Sequence, residues 1–238
     1  MPVKRLAEMP WPEVDAGAGG WVLAVPLGAT EQHGPHLPVG TDTLVAEAVA
    51  AGLGSRRPDV VVAPPLPFGA SGEHAGFPGT LSLGRAGLET AVVELVRSAD
   101  AFRGLVLVSG HGGNAEALDR AASLCTSEGR AVLTWGPPRA VTESVTGPLP
   151  ADAHAGRVET SLLLHLAPDL VGAPAPGATT AAPLRELMPA LRRSGVAGVS
   201  PTGVLGDPAG ASAAEGRALL VALVDDLVGA VDRWCRVG

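Results

Sequence analysis

The sequence is poor in the features on which nucleic-acid and membrane proteins depend. Its 238 residues include no tyrosine and only 3% aromatic residues, so a base-stacking surface is not expected. Its 17 lysines and arginines are outnumbered by 24 aspartates and glutamates, and the formal net charge is −7. No basic cluster is present to meet phosphates, and no apolar run reaches the roughly 18 residues of a membrane span. We therefore expect neither nucleic acid nor membrane as a partner.

The sequence also has few of the residues and motifs that disulfide-rich or nucleotide-binding proteins need. Cys125 and Cys235 are the only cysteines, too few for a disulfide framework, and the N-terminal residues lack the apolar core of a signal peptide. We therefore expect a soluble, cytoplasmic protein. The sequence has no Gly-x-Gly-x-x-Gly fingerprint after its first strand, no Walker loop and no Gly-x-Ser-x-Gly elbow.

Alternating strand and helix patterns, in contrast, run along most of the chain. Apolar residues make up 46%, enough for one large α/β domain over residues 1–238. The order of the elements predicts a three-layer α/β/α sandwich with a mostly parallel sheet. The stretch 172–210 is rich in Ala, Gly and Pro and predicts a long surface excursion with a short helix at 184–193. The periodicity predicts strands at 21–27, 60–63, 104–108 and 131–135, and helices at 43–53, 88–102, 115–127, 158–166 and 220–231.

Carboxylates and imidazoles crowd the segment after the first predicted strand. Glu31, His33, His36 and Asp42 follow one another closely there. Glu31 and His33 are two residues apart, so in extended backbone their side chains point the same way. Asp42 has a second explanation, because an aspartate at a helix start can cap its N-terminus. The neighbouring ligand types favour Asp42 as a metal ligand, and one carboxylate can bridge two metal ions about 3.5–4 Å apart.

Further histidines and carboxylates occur in three later segments. His111 follows the strand 104–108 and is flanked by glycines, where ligands of open α/β sheets bind. The alternative is a Gly-rich turn in which Asn114 caps the next helix. Glu159 lies on an apolar helical face, where a metal ion would compensate its charge. A carboxylate stabilised by the helix dipole is the alternative for Glu159.

Two more groups are candidates for the chemistry itself. His154 precedes the helix of Glu159 and is a candidate general acid or substrate-positioning group. Glu73 and His74 could line the same cleft, and we take Glu73 as a second catalytic candidate. The ligand set contains only oxygen and nitrogen donors, which suits Zn, Mn or Fe(II) better than a thiolate site.

Three segments together resemble the creatininase family of metal-dependent amidohydrolases: Pro26 to Asp42, Val108 to Asn114 and His154 to Ser161. The resemblance implies a three-layer sandwich, hydrolysis of an amide by two divalent metal ions, and a closed homo-oligomer, a hexamer or an octamer. It also implies a division of the ligands between the two ions. Glu31, Asp42 and His111 bind one ion, and His33 and Asp42 bind the other.

One position departs from the pattern of the creatinine-hydrolysing members. They carry a metal-binding Glu two residues after the histidine that corresponds to His111, and here that residue is Gly113. The resemblance to members with the same HGGN segment implies that Glu159 supplies the missing carboxylate. The substitution argues against creatinine as the substrate.

The segment Ala70 to Leu83 resembles a subgroup of the family that matures a short modified precursor peptide into a redox cofactor. This likeness implies release of a modified C-terminal dipeptide derived from Val-Tyr, through attack of a metal-activated water on the amide. A small-molecule amidohydrolase, either a formamide deformylase or a lactam-opening enzyme, fits the motifs equally well. A non-catalytic protein of this fold would show degenerate ligands, and the sequence shows none.

Overall fold

The computed structural model describes residues 2–149, 152–173 and 182–237. The five strands within these residues are β1 (Lys4–Arg5), β2 (Val22–Leu27), β3 (Val60–Val62), β4 (Gly104–Ser109) and β5 (Val132–Trp135). They form one sheet in the order β1-β3-β2-β4-β5, and each neighbouring pair is parallel. Strands β2 and β4 are buried along their whole length, as expected for a parallel sheet covered on both faces.

Helices cover both faces of this sheet. The helices are α1 (Trp11–Gly17), α2 (Thr41–Arg56), α3 (Gly84–Ser98), α4 (Ala115–Ser127), α5 (Arg139–Thr146), α6 (Arg157–Leu166), α7 (Leu184–Ser194) and α8 (Ala213–Val237). Alternate residues of β4 face opposite helical layers: Val106 and Val108 pack with α2, α6 and α8, and Leu105 and Leu107 pack with α3 and α4. This arrangement confirms the expected three-layer α/β/α sandwich.

The elements that the sequence did not predict are short or lack an apolar stripe. Strand β1 is two charged residues long, and it exists because its backbone pairs with Val61 and Val62 of β3. Helices α1 and α5 have no buried residue. Helix α7 agrees with the helix predicted within 172–210, although residues 174–181 of that stretch lie outside the described residues.

The carboxyl ends of β2 and β4 point toward the same edge of the sheet, because the two strands are parallel neighbours. The loops that leave them carry the segments 28–40 and 110–114, and the start of α6 lies near the same edge. In such sheets this edge is where ligands bind. Among the described helices, none is both long and apolar enough to cross a bilayer.

Candidate metal centre

Glycine allows the two central loops to meet closely. A Cβ on Gly110 would overlap the carbonyl oxygen of Asp42 and lie 3.0 Å from its carbonyl carbon. Only a residue without a side chain lets the end of β4 approach the first turn of α2 so closely. The approach brings His111, which directly follows Gly110, to the side chains of Asp42 and Glu31.

The first group of donor atoms belongs to Glu31, Asp42 and His111. Nε2 of His111 lies 3.2 Å from Oε2 of Glu31, and Nδ1 of His111 lies 3.3 Å from Oδ2 of Asp42. One ligand atom from each residue lies within 4.8 Å of the other two. All three residues are buried. Two carboxylates and one imidazole could therefore bind the same metal ion.

A second group of donor atoms belongs to His33, His154 and Glu159, again within 4.8 Å of one another. Nε2 of His33 lies 3.2 Å from Oδ1 of Asp42 and 3.8 Å from Oε2 of Glu159. Asp42 therefore contacts a histidine of each group, one through each carboxylate oxygen. A third set of donors, Glu31, His74 and His154, meets the same distance limit.

The polar atoms of the two main groups fit a bound cation. The Nδ1–H of His33 donates to the backbone carbonyl of Glu31 at 3.2 Å, so in the neutral ring the electron pair on Nε2 would face Asp42 and Glu159. Both carboxylate oxygens of Glu31 and Oδ2 of Asp42 are buried, without a hydrogen-bond partner among the described residues. Such atoms are costly to bury alone, and a metal ion between them would remove the cost. A histidine that donates its other N–H to a backbone carbonyl is also typical of a metal ligand.

The pKa values describe the same centre in its metal-free state. Burial raises the pKa of Glu31 to about 8 and that of Glu159 to about 7. Burial alone would lower the pKa of His33 and His111, but the surrounding carboxylates, Asp42 above all, raise it to about 10 and about 9. The carboxyl of Asp42 has a pKa held far below its usual range by these two histidines, although burial opposes them. At neutral pH the centre thus holds protons where a cation would bind.

The structure also decides two of the alternatives left by the sequence. Helix α2 has Gly40 at its N-cap position, and Asp42 lies inside the first turn. The carboxylate oxygens of Asp42 contact the ring nitrogens of His33 and His111. Asp42 therefore does not cap the helix. The side chain of Asn114 makes no capping bond either: Oδ1 accepts from the N–H of Ala70, and Nδ2 donates to the carbonyl of Gly28.

The space beside Gly113 is already occupied. A Cβ on this residue would overlap Nε2 of His111 and lie 2.7 Å from both Oε1 of Glu73 and the carbonyl oxygen of Ala70. A glutamate at position 113 therefore has no room in this arrangement. Glu73 is half-buried beside His111, outside the three donor groups. Glu159 is the carboxylate that faces His33 instead.

A cavity of about 280 Å³ opens onto this centre. Asp42, His154 and Glu159 line it, and Val45, Leu162 and Leu223 contribute apolar surface. Its lining also includes Arg139 and Glu143 of α5, joined by an ion pair of 2.7 Å, and Leu184 of α7. The cavity gives an amide substrate a route to the donor atoms.

The sequence did not single out Gln32 or the partner of His36. Nε2 of His36 lies 3.0 Å from Oγ1 of Thr160 on α6, which ties the first loop to the helix of Glu159. Gln32 is buried between two histidines that are distant in sequence. A glutamine or threonine has no spacing pattern that marks such a role, so no sequence signal was available.

The comparisons with known proteins agree with this geometry. The family model described as Creatininase: Creatinine amidohydrolase matches residues 7–231. The chain belongs to the creatininase family, and it is a hydrolase that acts on amide bonds.

Its curated relatives include two proteins named mycofactocin precursor peptide peptidase. The one from Mycolicibacterium smegmatis (strain ATCC 700084 / mc(2)155) is 49% identical over 90% of this chain and 85% of the relative. The one from Mycobacterium ulcerans (strain Agy99) is 47% identical over 89% and 85%. Among solved structures, "Creatininase Mn" has a TM-score of 0.79 at 28% identity and covers 97% of this chain and 98% of that chain.

Proposed function

We propose that this protein is a metal-dependent peptidase that releases the modified, Val-Tyr-derived C-terminal dipeptide from the mycofactocin precursor peptide. The observation that carries the proposal is the convergence of Glu31, His33, Asp42, His111 and Glu159 beside a cavity. Relatives that share nearly half of this sequence are named as peptidases of that precursor. We further propose a single cytoplasmic domain that assembles into a closed homo-oligomer, a hexamer or an octamer.

We assign two divalent ions, Zn, Fe(II) or Mn, to the centre. Glu31, Asp42 and His111 would hold the first, and His33, Asp42 and Glu159 the second, with Asp42 shared. When bound, divalent cations at such a site make water a stronger nucleophile and polarise the carbonyl of an amide. The oxygen and nitrogen donors leave the choice among these metals open.

The chain's own residues supply proton transfer and orientation. Attack of water on the carbonyl carbon breaks the C–N bond, and the leaving nitrogen needs a proton. His154 is buried and lines the cavity, and we assign this transfer to it: its ring would take a proton from the attacking water and pass it to the leaving nitrogen. Glu73 is a second catalytic candidate, since its carboxylate lies beside His111. The apolar side chains of Val45, Leu162 and Leu223 would exclude water from the released fragment.

The direct test is incubation of the metal-loaded protein with the modified precursor peptide, followed by mass spectrometry. We expect loss of the last two residues. His33→Ala and His111→Ala should lose both metal and turnover, because each removes an imidazole from one donor group. An unchanged peptide mass with confirmed metal content would overturn the proposal. Turnover of a formamide or a lactam in the same preparation would then assign the small-amide activity instead.

A further inference from the structure

The side chain of Gln32 makes four polar contacts next to the centre. Its amide is buried against Gly203, whose Cβ position, if filled, would overlap the amide. Its Oε1 lies 2.8 Å from the N–H of Gly34. Its Nε2 lies 2.8 Å from Nδ1 of His74, 3.1 Å from Nε2 of His154 and 3.2 Å from the carbonyl oxygen of Gly203. Three possible acceptors thus compete for two amide hydrogens.

Backbone groups decide the orientation of this amide. The N–H of Gly34 can only donate, so the atom facing it must be the amide oxygen. The carbonyl of Gly203 can only accept, so the atom facing it must be the amide nitrogen. Both contacts agree, and the two hydrogens of Gln32 therefore point toward Gly203, His74 and His154.

A backbone group also decides the state of His154. Its Nε2 lies 2.6 Å from the backbone carbonyl oxygen of Gln32, which can only accept. Nε2 of His154 therefore carries a hydrogen and cannot accept one from the Gln32 amide. In the neutral ring the electron pair is on Nδ1, which lies 3.7 Å from Oε1 of Glu31 and faces the centre.

His74 is left as the acceptor of the second Gln32 hydrogen. Its Nδ1 must then hold an electron pair, and in the neutral ring Nε2 carries the hydrogen. This Nε2 lies 3.3 Å from Oε1 of Glu31. A nitrogen that carries a hydrogen cannot bind a metal ion.

From these contacts we propose that Gln32 is a positioning residue that fixes His74 as the Nε2–H tautomer. His74 thereby directs the partial positive charge of its Nε2–H group toward the carboxylate of Glu31, and it does not serve as a metal ligand. The set Glu31, His74 and His154 is therefore not a third metal site. His154 acts through Nδ1, in a tautomer that the backbone of Gln32 sets independently. The proposal concerns the same centre as the proposed function and rests on it for the role of Glu31.

The test uses Gln32→Glu, which keeps the size of the side chain and an oxygen near Gly34. The new carboxylate has no hydrogen to donate, so it must accept one from Nδ1 of His74. Histidine ring 15N spectra of the zinc-loaded protein should show the Nε2–H form of His74 in the parent chain and a protonated Nδ1 in the variant. His154 should keep its Nε2–H form in both, because a backbone carbonyl holds it.

Metal affinity gives a second readout that does not depend on turnover. Gln32→Met removes the donor at similar length, and loss of such outer partners costs about 10–100-fold in metal affinity. Thr30→Val is the matched control in the same loop: it removes a hydrogen bond of 2.8 Å to the carbonyl of Pro67 without touching a histidine. We expect this control to change zinc affinity less than about 2-fold.

Two outcomes would overturn the proposal. One is an Nδ1–H tautomer of His74 in the parent chain, and the other is a zinc affinity of Gln32→Met that equals that of Thr30→Val. Both measurements remain decisive if the precursor peptide is not cleaved, so failure of the proposed substrate is distinguishable. Absence of zinc binding in the parent chain would instead refute the metal centre itself, while the ring spectra of the metal-free protein still report the tautomer.

Discussion

Replacing Gly216 by alanine should push helix α8 away from helix α6. A Cβ at this position would overlap the carbonyl oxygen of Ser161 and lie 3.0 Å from the backbone nitrogen of Leu162. These are backbone atoms of α6, which cannot rotate aside as a side chain could. Overpacking of this kind costs about 1–3 kcal/mol, whereas glycine to alanine within a helix contributes about 1 kcal/mol of stability. The difference is a net loss of up to about 2 kcal/mol.

Gly229 in the same helix provides the matched control. A Cβ there would meet only the Nη1 end of Arg233, at 3.3 Å, and that long side chain can move. The helix-propensity gain is common to both positions, so Gly229→Ala should stabilise the protein by up to about 1 kcal/mol. The two alanines should thus change stability in opposite directions.

Thermal unfolding at fixed metal concentration measures the difference, because metal binding itself shifts the midpoint. For a chain of this length, 1 kcal/mol corresponds to roughly 2–4 °C, so Gly216→Ala should lower the Tm by up to about 8 °C. Gly216→Ala should also weaken metal binding, because α6 carries Glu159. If Gly216→Ala proved as stable as Gly229→Ala, the close packing of α6 against α8 would be wrong.

Three further predictions concern the centre and its support. Burial raises the pKa of Glu31 and Glu159 to about 8 and about 7, and the nearby carboxylates raise the pKa of His33 and His111 to about 10 and about 9. A cation must displace the protons that these groups hold, so zinc affinity should rise from about pH 6 to about pH 10. Calorimetry in buffers of different ionisation enthalpy should show proton release; a pH-independent affinity would contradict this. A chelator should lower the unfolding free energy by about 2.7 kcal/mol relative to protein at a metal concentration 100 times the Kd, and His33→Ala should be insensitive to it. Asp152 accepts hydrogen bonds from the backbone N–H groups of Arg157 and Val158 at the start of α6, at 2.7 and 3.1 Å. Asp152→Ala should therefore cost about 0.5–2 kcal/mol in urea unfolding, and an unchanged midpoint would show that this cap contributes nothing.

The parts of the fold that the sequence predicted are those with a strong local pattern. Helix 115–127 has the predicted bounds, and strand β4 extends the predicted 104–108 by one residue, because apolar periodicity determines both. Strand β1 was missed because its two charged residues carry no apolar pattern. Helix α5 was missed because its 8 residues include only Val141 and Val145 at helical spacing, too few to establish a period. Strand β1 depends on a backbone pairing with residues more than fifty positions away, and such a pairing leaves no mark on two charged residues.

The same division holds for the candidate site. The types and spacing of Glu31, His33 and His111 indicated metal chemistry from the sequence alone, because such residues have little use in a core. Whether Asp42 caps its helix or faces the histidines depended on the exact start of α2, which sequence patterns locate only to within a few residues.

The amino-acid sequence by itself thus determined the class of fold, through local periodicity, and the family, through the resemblance of three segments. Residue chemistry predicted the kinds of metal ligand. Only the tertiary structure decided which atoms meet: the proximity of Gly113 to Glu73, the contact of His33 with Glu159, and the four partners of Gln32. These contacts join residues separated by up to 171 positions. The order of the parallel strands and the layers of helices bring them together, and no single segment of the chain contains that information.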